Sequence, residues 1–190
     1  KIIIFDFDGV LIDSLKNMNY AWNKSCEENN VQINFSLYTK YIGLPFGEIL
    51  RKLKIHKKNH IKIAKSYEHH SSEKIKKIKI TNNDLRFLKK LRRKYILALF
   101  TSKSKKRSEK ILLKNKSLFK YKIYPSKKIK GKPHPDGLNK ILSLSKFKKK
   151  EAIYLGDTLY DYKASRKAKI DYLHANWGYQ KISCQKVKKI

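Results

Sequence analysis

The chain has 190 residues, 41% of them hydrophobic, which suits a globular protein with one sizeable core or a core plus a small inserted domain, and excludes a disordered chain. No apolar run approaches the ~20 residues of a membrane-spanning helix, and the apolar start is too short for a signal peptide, so we expect a cytoplasmic protein with no membrane partner. The formal net charge of +32 attracts anions, but the lysines are spread along the whole chain, so we do not expect a nucleic-acid partner.

The first predicted element is the apolar run over residues 2–5, which ends abruptly at Asp6, Asp8 and Gly9. A run without polar alternation indicates a strand buried on both faces, as in a parallel sheet covered by helices. Ligands of such sheets bind beyond the carboxyl ends of the strands, where both aspartates are expected. Two carboxylates this close need a cation or a shared proton, and Mg²⁺ prefers oxygen ligands. Gly9 allows the backbone to turn sharply after them.

Residues 15–80 show no strong strand pattern, and their apolar spacing predicts helices. The first helix is expected from Ser14, as its N-cap, to about Asn29. Shorter helices are predicted over 36–41, 47–53 and 59–78, and a turn over Gly43 to Pro45 separates the first two of them. This segment is therefore a helical insertion between the first strand and the next one.

Neither the cysteines nor the histidines have a spacing typical of metal ligands. Cys26 and Cys184 are expected to be free thiols. Four histidines in the helical insertion have no accompanying cluster of carboxylates or cysteines, so we interpret them as solvated surface residues and predict no metal site there. They are His56, His60, His69 and His70.

In the second half of the chain, apolar strands are predicted over 95–100, 121–124, 152–155 and 170–175, with helices between them. Such alternation is typical of a doubly wound parallel sheet. Thr101 and Ser102 follow the second strand, where a hydroxyl and free backbone N–H groups suit a phosphoryl oxygen. Lys132 stands before two prolines that fix its backbone, and Asp157 and Asp161 follow the fourth strand.

These strand ends resemble the four motifs of the haloacid dehalogenase superfamily of phosphohydrolases. The matching stretches are Asp6-Phe7-Asp8-Gly9-Val10, the strand ending at Thr101, Lys132 in its Lys-Pro-x-Pro context, and Gly156-Asp157-x-x-x-Asp161. The turn over Gly43 to Pro45 and the Trp177-Gly178-Tyr179 stretch look like phosphoglycolate phosphatase-like members, close to the β-phosphoglucomutase-like ones.

The resemblance implies a Rossmann-like α/β fold, with a doubly wound parallel sheet of about five strands and an inserted all-helical cap. Residues 1–14 and 81–190 would form the core domain, and residues 15–80 the cap domain. The implied activity is Mg²⁺-dependent hydrolysis of a small phosphate monoester, such as phosphoglycolate, through an aspartyl-phosphate.

The resemblance also implies roles for single residues. Asp6 would be the nucleophile, and Asp8 the general acid and base. Thr101 and Lys132 would act on the transferring oxygens. The residues expected to contact phosphate or substrate are Gly9, Thr101, Ser102, Lys132, Gly43 and Pro45. The residues expected around Mg²⁺ are Asp6, Asp8, Asp157 and Asp161.

Three alternatives remain open from the sequence. A phosphomutase of the β-phosphoglucomutase type would share all these residues. A phosphonoacetaldehyde hydrolase would need a cap lysine that forms a Schiff base, and the cap has many lysines. A basic nucleic-acid-binding protein with a decayed active site is a third reading, against which the intact acids argue.

Overall fold

The computed structural model describes residues 1–182 and 188–189. In this part of the chain one sheet is built from six strands: β1 (Ile2–Phe5), β2 (Ile96–Phe100), β3 (Tyr121–Ile123), β4 (Ala152–Gly156), β5 (Asp171–His174) and β6 (Lys188–Lys189). Their order is β3-β2-β1-β4-β5-β6, and every neighbouring pair is parallel. This confirms the predicted doubly wound parallel sheet and its five strands, and adds the two-residue β6.

Eight α-helices accompany the sheet in the described residues: α1 (Leu15–Glu28), α2 (Phe35–Thr39), α3 (Phe46–Lys52), α4 (His60–Glu73), α5 (Asn82–Arg92), α6 (Lys105–Leu112), α7 (Asp136–Ser145) and α8 (Leu159–Ala168). The four helices predicted before residue 80 are present, although α4 ends at Glu73 and a short 3₁₀ turn follows it. None of the helices in this part of the chain combines the length and apolar character needed to cross a bilayer.

Both faces of the sheet are buried, because side chains of each strand point alternately to two separate cores. Phe5 and Leu99 belong to one core, whereas Ile4 and Phe100 belong to the other. A parallel sheet covered on both faces explains why its strands are continuous apolar runs in the sequence.

A third core lies within the helical insertion, where α1 packs along α4. Trp22 and Tyr67 are among its fully buried side chains. Ile75 and Ile78, at the end of the insertion, instead join the core that contains Phe5. The division into a core domain and a cap domain over residues 15–80 stays a prediction, and the packing of these two isoleucines favours a boundary near α4.

Two of the four histidines contradict the prediction of solvated surface residues. His70 is buried, with Nε2 only 2.6 Å from Glu28 Oε1 and Nδ1 only 3.3 Å from Glu73 Oε1. His60 is half-buried, and its Nε2 lies 2.9 Å from the carbonyl oxygen of Ile55. The prediction was wrong because helical periodicity does not show that one face of α4 meets α1.

The prediction that no carboxylates accompany these histidines was also wrong. Ligand atoms of His69, His70 and Glu73 lie within 4.8 Å of one another. The ring of His70 is already engaged by two carboxylates, which accounts for this grouping without an ion. Cys26 is a buried free thiol as predicted, whereas Cys184 lies outside the described residues.

Candidate active site

Three buried polar residues stand directly after three neighbouring strands. Asp6 follows β1, Thr101 follows β2 and Asp157 follows β4. β1 is the central strand of these three, so their carboxyl ends place the three side chains along one edge of the sheet. This is the edge at which open α/β sheets bind their ligands.

Lys132 reaches this edge from the loop before α7 and joins two acids. Its Nζ lies 2.7 Å from Asp6 Oδ1 and 2.6 Å from Asp161 Oδ1, and the residue is only 1% exposed. Asp161 also accepts hydrogen bonds from the Tyr154 hydroxyl at 2.6 Å and from the backbone N–H of Thr158 at 3.0 Å. An ammonium group has three donors, so Lys132 keeps one for a further acceptor.

Burial and the close contacts among Asp6, Lys132 and Asp161 shift the pKa values of all three residues. Loss of hydration raises the pKa of Asp6 to about 7, even though Lys132 favours its charged form. Burial alone would lower the pKa of Lys132, but Asp161 and Asp6 outweigh it and hold that pKa above its usual value. Burial would likewise raise the pKa of Asp161, but Lys132, Thr158 and Tyr154 outweigh it and keep that pKa low. Both shifts favour the charged forms of Lys132 and Asp161, which form an ion pair.

Asp157 is fully buried, and its two carboxylate oxygens differ in their hydrogen bonding. Oδ2 accepts a hydrogen bond from the backbone N–H of Tyr179 at 2.7 Å, whereas Oδ1 has no hydrogen-bond partner among the described residues. Burial, together with the nearby Asp161 and Asp6, raises the pKa of Asp157 to about 8. A buried carboxylate oxygen without a partner is costly unless a cation binds it.

Two glycines make room for Asp157. A Cβ on Gly9 would lie 2.1 Å from its Oδ2, and a Cβ on Gly178 would lie 2.1 Å from its Cβ. Gly9 also has φ +79°, a conformation that residues with side chains rarely adopt. The sharp turn after Asp8 and the stretch after β5 thus fix the space around this acid.

The acids at this edge fit a hard divalent cation such as Mg²⁺. Ligand oxygens of Asp6, Asp157 and Asp161 lie within 4.8 Å of one another, and all three residues are buried. The free Oδ1 of Asp157 supplies an unused hard donor. Both oxygens of Asp161 already accept hydrogen bonds, which favours it as an anchor for Lys132 over a direct ligand.

Asp8 lies beside this group and is held by two donors. The hydroxyl of Ser14 donates to Asp8 Oδ1, and Lys103 Nζ lies 3.0 Å from the same oxygen. Ser14 occupies the N-cap position of α1 as predicted, but its side chain makes no cap hydrogen bond there. Asp13 accepts from the backbone N–H of Leu15 at 3.0 Å instead.

The loop over Gly43 to Pro45 contacts the loops that follow β2 and precede α7, next to these residues. The hydroxyl of Ser102 donates to the carbonyl oxygen of Gly43 at 2.7 Å. Pro45 packs on the loop before Lys132, because a Cβ on Gly131 would lie 2.3 Å from its Cγ. Of the two predicted cap residues, Gly43 lines the cavity beside Asp6 and Pro45 lies outside it.

A partly open cavity of about 60 Å³ lies between the strand ends and the helical insertion. Its polar walls are Asp6, Asp8, Thr101, Ser102, Lys103 and Arg107. The opposite wall is mainly apolar or aromatic and consists of Met18, Tyr38, Ile42, Leu44, Phe46, Ile49 and Tyr67. The polar end of a molecule bound in this cavity would face the acids.

Several residues of the site were not predicted. Lys103 and Arg107 are buried in the cavity wall, yet among 47 lysines and arginines nothing in the sequence distinguishes them. Tyr154 was missed as well, although a tyrosine inside an apolar strand needs a partner for its hydroxyl. Tyr179 belongs to the Trp-Gly-Tyr stretch that the sequence did single out, but its contact with Asp157 could not be inferred from it.

Comparison with known proteins agrees with this geometry. The family model of haloacid dehalogenase-like hydrolases matches residues 3–175. A curated relative, a phosphoglycolate phosphatase from Aquifex aeolicus (strain VF5), is 28% identical over 189 residues, covering 97% of this chain and 89% of the relative. The resemblance read from the four motifs is thereby confirmed.

Solved structures agree on the fold. A hydrolase from Pseudomonas syringae superimposes with a TM-score of 0.85 at 20% identity, covering 95% of this chain and 86% of that one. A haloacid dehalogenase-like family hydrolase from Streptococcus pneumoniae gives 0.81 at 22% identity, with coverage of 95% and 86%. At such identities the likeness concerns the fold alone.

Proposed function

Because the chain is a phosphohydrolase of the haloacid dehalogenase-like family, we propose that it hydrolyses a small phosphate monoester, phosphoglycolate or a close analogue, through an aspartyl-phosphate. The observation that carries this proposal is the linked set Asp6–Lys132–Asp161, buried at the strand ends beside Asp157. Such a set supplies a nucleophile, a fixed cation and acids for a metal within one small site.

Asp6 is the proposed nucleophile. Its carboxylate attacks phosphorus, the bond to the leaving alcohol oxygen breaks, and an acyl phosphate forms on Asp6. Lys132 favours the charged, nucleophilic form of Asp6 at 2.7 Å and keeps one donor for a phosphoryl oxygen. Thr101, buried in the same wall, offers its hydroxyl proton to the transferring group, because its backbone N–H already donates to the carbonyl oxygen of Ile123.

Asp8 is the proposed proton carrier. It gives a proton to the leaving oxygen in the first step and takes one from the attacking water in the second step. Ser14 and Lys103 hold Asp8 Oδ1 in place, so the proton would be carried by its other oxygen. Asp8 lies on the wall of the same cavity as Asp6, which is the geometry that this role requires.

Mg²⁺ is the proposed cofactor, held by Asp6 and Asp157 with Asp8 nearby, and it would neutralise charge on the phosphoryl group. Asp161 would act mainly by anchoring Lys132. A cytoplasmic location and the absence of a nucleic-acid partner stay predictions from the sequence.

The test is release of inorganic phosphate from phosphoglycolate with and without Mg²⁺. We expect turnover that requires Mg²⁺ and falls at least ~1,000-fold in Asp6→Asn, because an amide cannot replace the nucleophile. The matched control is Asp171→Asn, at the exposed opposite end of β5, which should behave as the unmodified protein.

Two results would contradict the proposal. Phosphate release that survives Asp6→Asn would exclude the aspartyl-phosphate route. Conversion of glucose 1-phosphate to glucose 6-phosphate without net phosphate release would show the mutase activity that the sequence leaves open.

A further inference from the structure

We propose that Arg107 binds a second anionic group of the substrate, on the leaving-group side of the cavity. This rests on the proposed function and narrows it to phosphate esters whose leaving group itself carries a carboxylate or a phosphate. Nothing in the four sequence motifs points to Arg107, which lies in the first turn of α6.

The first observation is that the Arg107 guanidinium is buried without a counter-ion. The residue is 8% exposed, and no carboxylate within the described residues lies within 4.0 Å of it. Its Nε has no hydrogen-bond partner there either, while the guanidinium carbon lies 5.3 Å from the centre of the Tyr67 ring. A buried cation without an anion is costly, so an anionic ligand would stabilise it.

The second observation is the charge balance of the cavity. Asp6 pairs with Lys132 and Asp8 pairs with Lys103, so both acids in the cavity wall already have cations. Arg107 is the cation that remains.

The third observation is the pair of tyrosines on the cap side. Tyr38 and Tyr67 are buried in the cavity wall, with their hydroxyl oxygens 3.2 Å apart. One hydroxyl donates to the other, so the second hydroxyl hydrogen is left to donate to a ligand. A planar guanidinium with a hydroxyl donor beside it matches two oxygens of a carboxylate or phosphate.

The experiment compares two esters that differ only at the proposed contact. Phosphoglycolate carries a carboxylate where 2-hydroxyethyl phosphate carries a neutral CH₂OH group. We expect the unmodified protein to prefer phosphoglycolate in kcat/KM by about 10- to 100-fold, the range of a hydrogen bond to a charged group. In Arg107→Met this preference should disappear. Arg107→Lys keeps the positive charge but lacks the planar, multi-donor guanidinium, so it should retain part of the preference.

The matched control is Lys106→Met, which removes an exposed cation from the same turn of α6 and should leave the preference unchanged. Pyrophosphate provides a third substrate, because its second anion is a phosphate. A preference for pyrophosphate over phosphoglycolate, also lost in Arg107→Met, would support the contact and identify its natural anion as a phosphate.

A binding measurement separates this inference from the proposed function. Calorimetric titration of phosphoglycolate into Asp6→Asn and into Asp6→Asn/Arg107→Met should show a Kd that is about 10- to 100-fold weaker in the double variant. If that difference is seen while no ester is hydrolysed, the anion contact stands and the phosphatase proposal fails. If both esters are hydrolysed equally, or if Arg107→Met lowers both rates alike and leaves the Kd unchanged, the inference is overturned.

Discussion

Asp157 shows how tightly single residues define this site. The backbone of Gly9 and that of Gly178 approach Asp157 so closely that a methyl group on either glycine would overlap its side chain. A carboxylate that must present one particular oxygen to a cation depends on such fixed surroundings, because a displacement of a few tenths of an ångström alters coordination geometry.

We expect Gly178→Ala to weaken the use of Mg²⁺. The new methyl group would lie 2.1 Å from the Asp157 Cβ, so the acid or the loop must move. The Mg²⁺ concentration that gives half-maximal activity should rise by at least ~10-fold, as when a supporting group of a metal site is disturbed. A metal titration of phosphate release measures this.

The control is Gly47→Ala in α3, where nothing lies within 4 Å of an added Cβ. Alanine is favoured over glycine in a helix by ~1 kcal/mol, so this variant should be as stable or slightly more stable, with an unchanged Mg²⁺ requirement. An unaltered Mg²⁺ requirement in Gly178→Ala would show that the close packing of Gly178 on Asp157 does not affect Mg²⁺ binding.

The acids and Lys132 could be predicted from the sequence, whereas the other two buried cations of the site could not. Asp6 and Asp157 each end an apolar run, and this contrast is visible in the one-dimensional pattern. Lys103 and Arg107 become distinctive only when folding buries them, because lysines and arginines occupy 47 positions of the chain. Burial is a property of the tertiary structure, and no local signal accompanies it here.

At the scale of elements, α1 and α4 are joined by polar contacts as well as by their apolar core. Glu28 at the end of α1 accepts a hydrogen bond from Ser66 of α4, and one of its oxygens lies 2.6 Å from His70 of α4. Ser66, and then His70, lower the pKa of Glu28 below its usual value of 4.5. A carboxyl with a lowered pKa stabilises the folded state above its unfolded pKa and loses that contribution as the pH falls.

We expect Glu28→Gln to lower the Tm at pH 7 and to have progressively less effect as the pH falls below 4.5, where the native carboxyl becomes protonated as well. Thermal unfolding at a series of pH values measures the gap in Tm between Glu28→Gln and the unmodified protein. Glu27→Gln serves as the control, because Glu27 pairs only with Lys24 on an exposed surface. A gap that stays constant down to pH 3 would show that the charge of Glu28 contributes nothing to the link between the helices.

The order of elements could be predicted from the sequence better than their mutual contacts. The continuous apolar runs of the strands and the 3.6-residue periodicity of the helices are local patterns. The face on which α4 meets α1 depends on residues distant along the chain, which is why the burial of His70 escaped the prediction. The loop over Gly43 to Pro45 was recognised as a turn, but its hydrogen bond with Ser102 spans 59 positions.

At the scale of the whole molecule, the net charge of +32 surrounds the cavity in which we propose that an anionic substrate binds. Long-range attraction of this kind raises the rate of encounter and weakens with ionic strength, because salt screens exposed charges over about 10 Å at 0.1 M. The many dispersed lysines can thus serve the reaction without any of them touching the substrate.

We expect kcat/KM for phosphoglycolate to fall as KCl is raised from 50 to 500 mM, and to fall more steeply than that for 2-hydroxyethyl phosphate, which carries one negative charge fewer. The steady-state rates of the two esters, measured in parallel over the salt series, provide the comparison. Equal slopes would mean that the surface charge does not guide the substrate.

Ser14 lies at the junction between the helical insertion and the acids of the site. Its hydroxyl holds Asp8, its backbone N–H donates to the Tyr179 hydroxyl at 2.7 Å, and the helical insertion begins at the next residue. A movement of the insertion about this connection would therefore displace Asp8 and, through Tyr179, also Asp157. The alignment of Asp8 and Asp157 is therefore coupled to the position of the helical insertion over the strand ends.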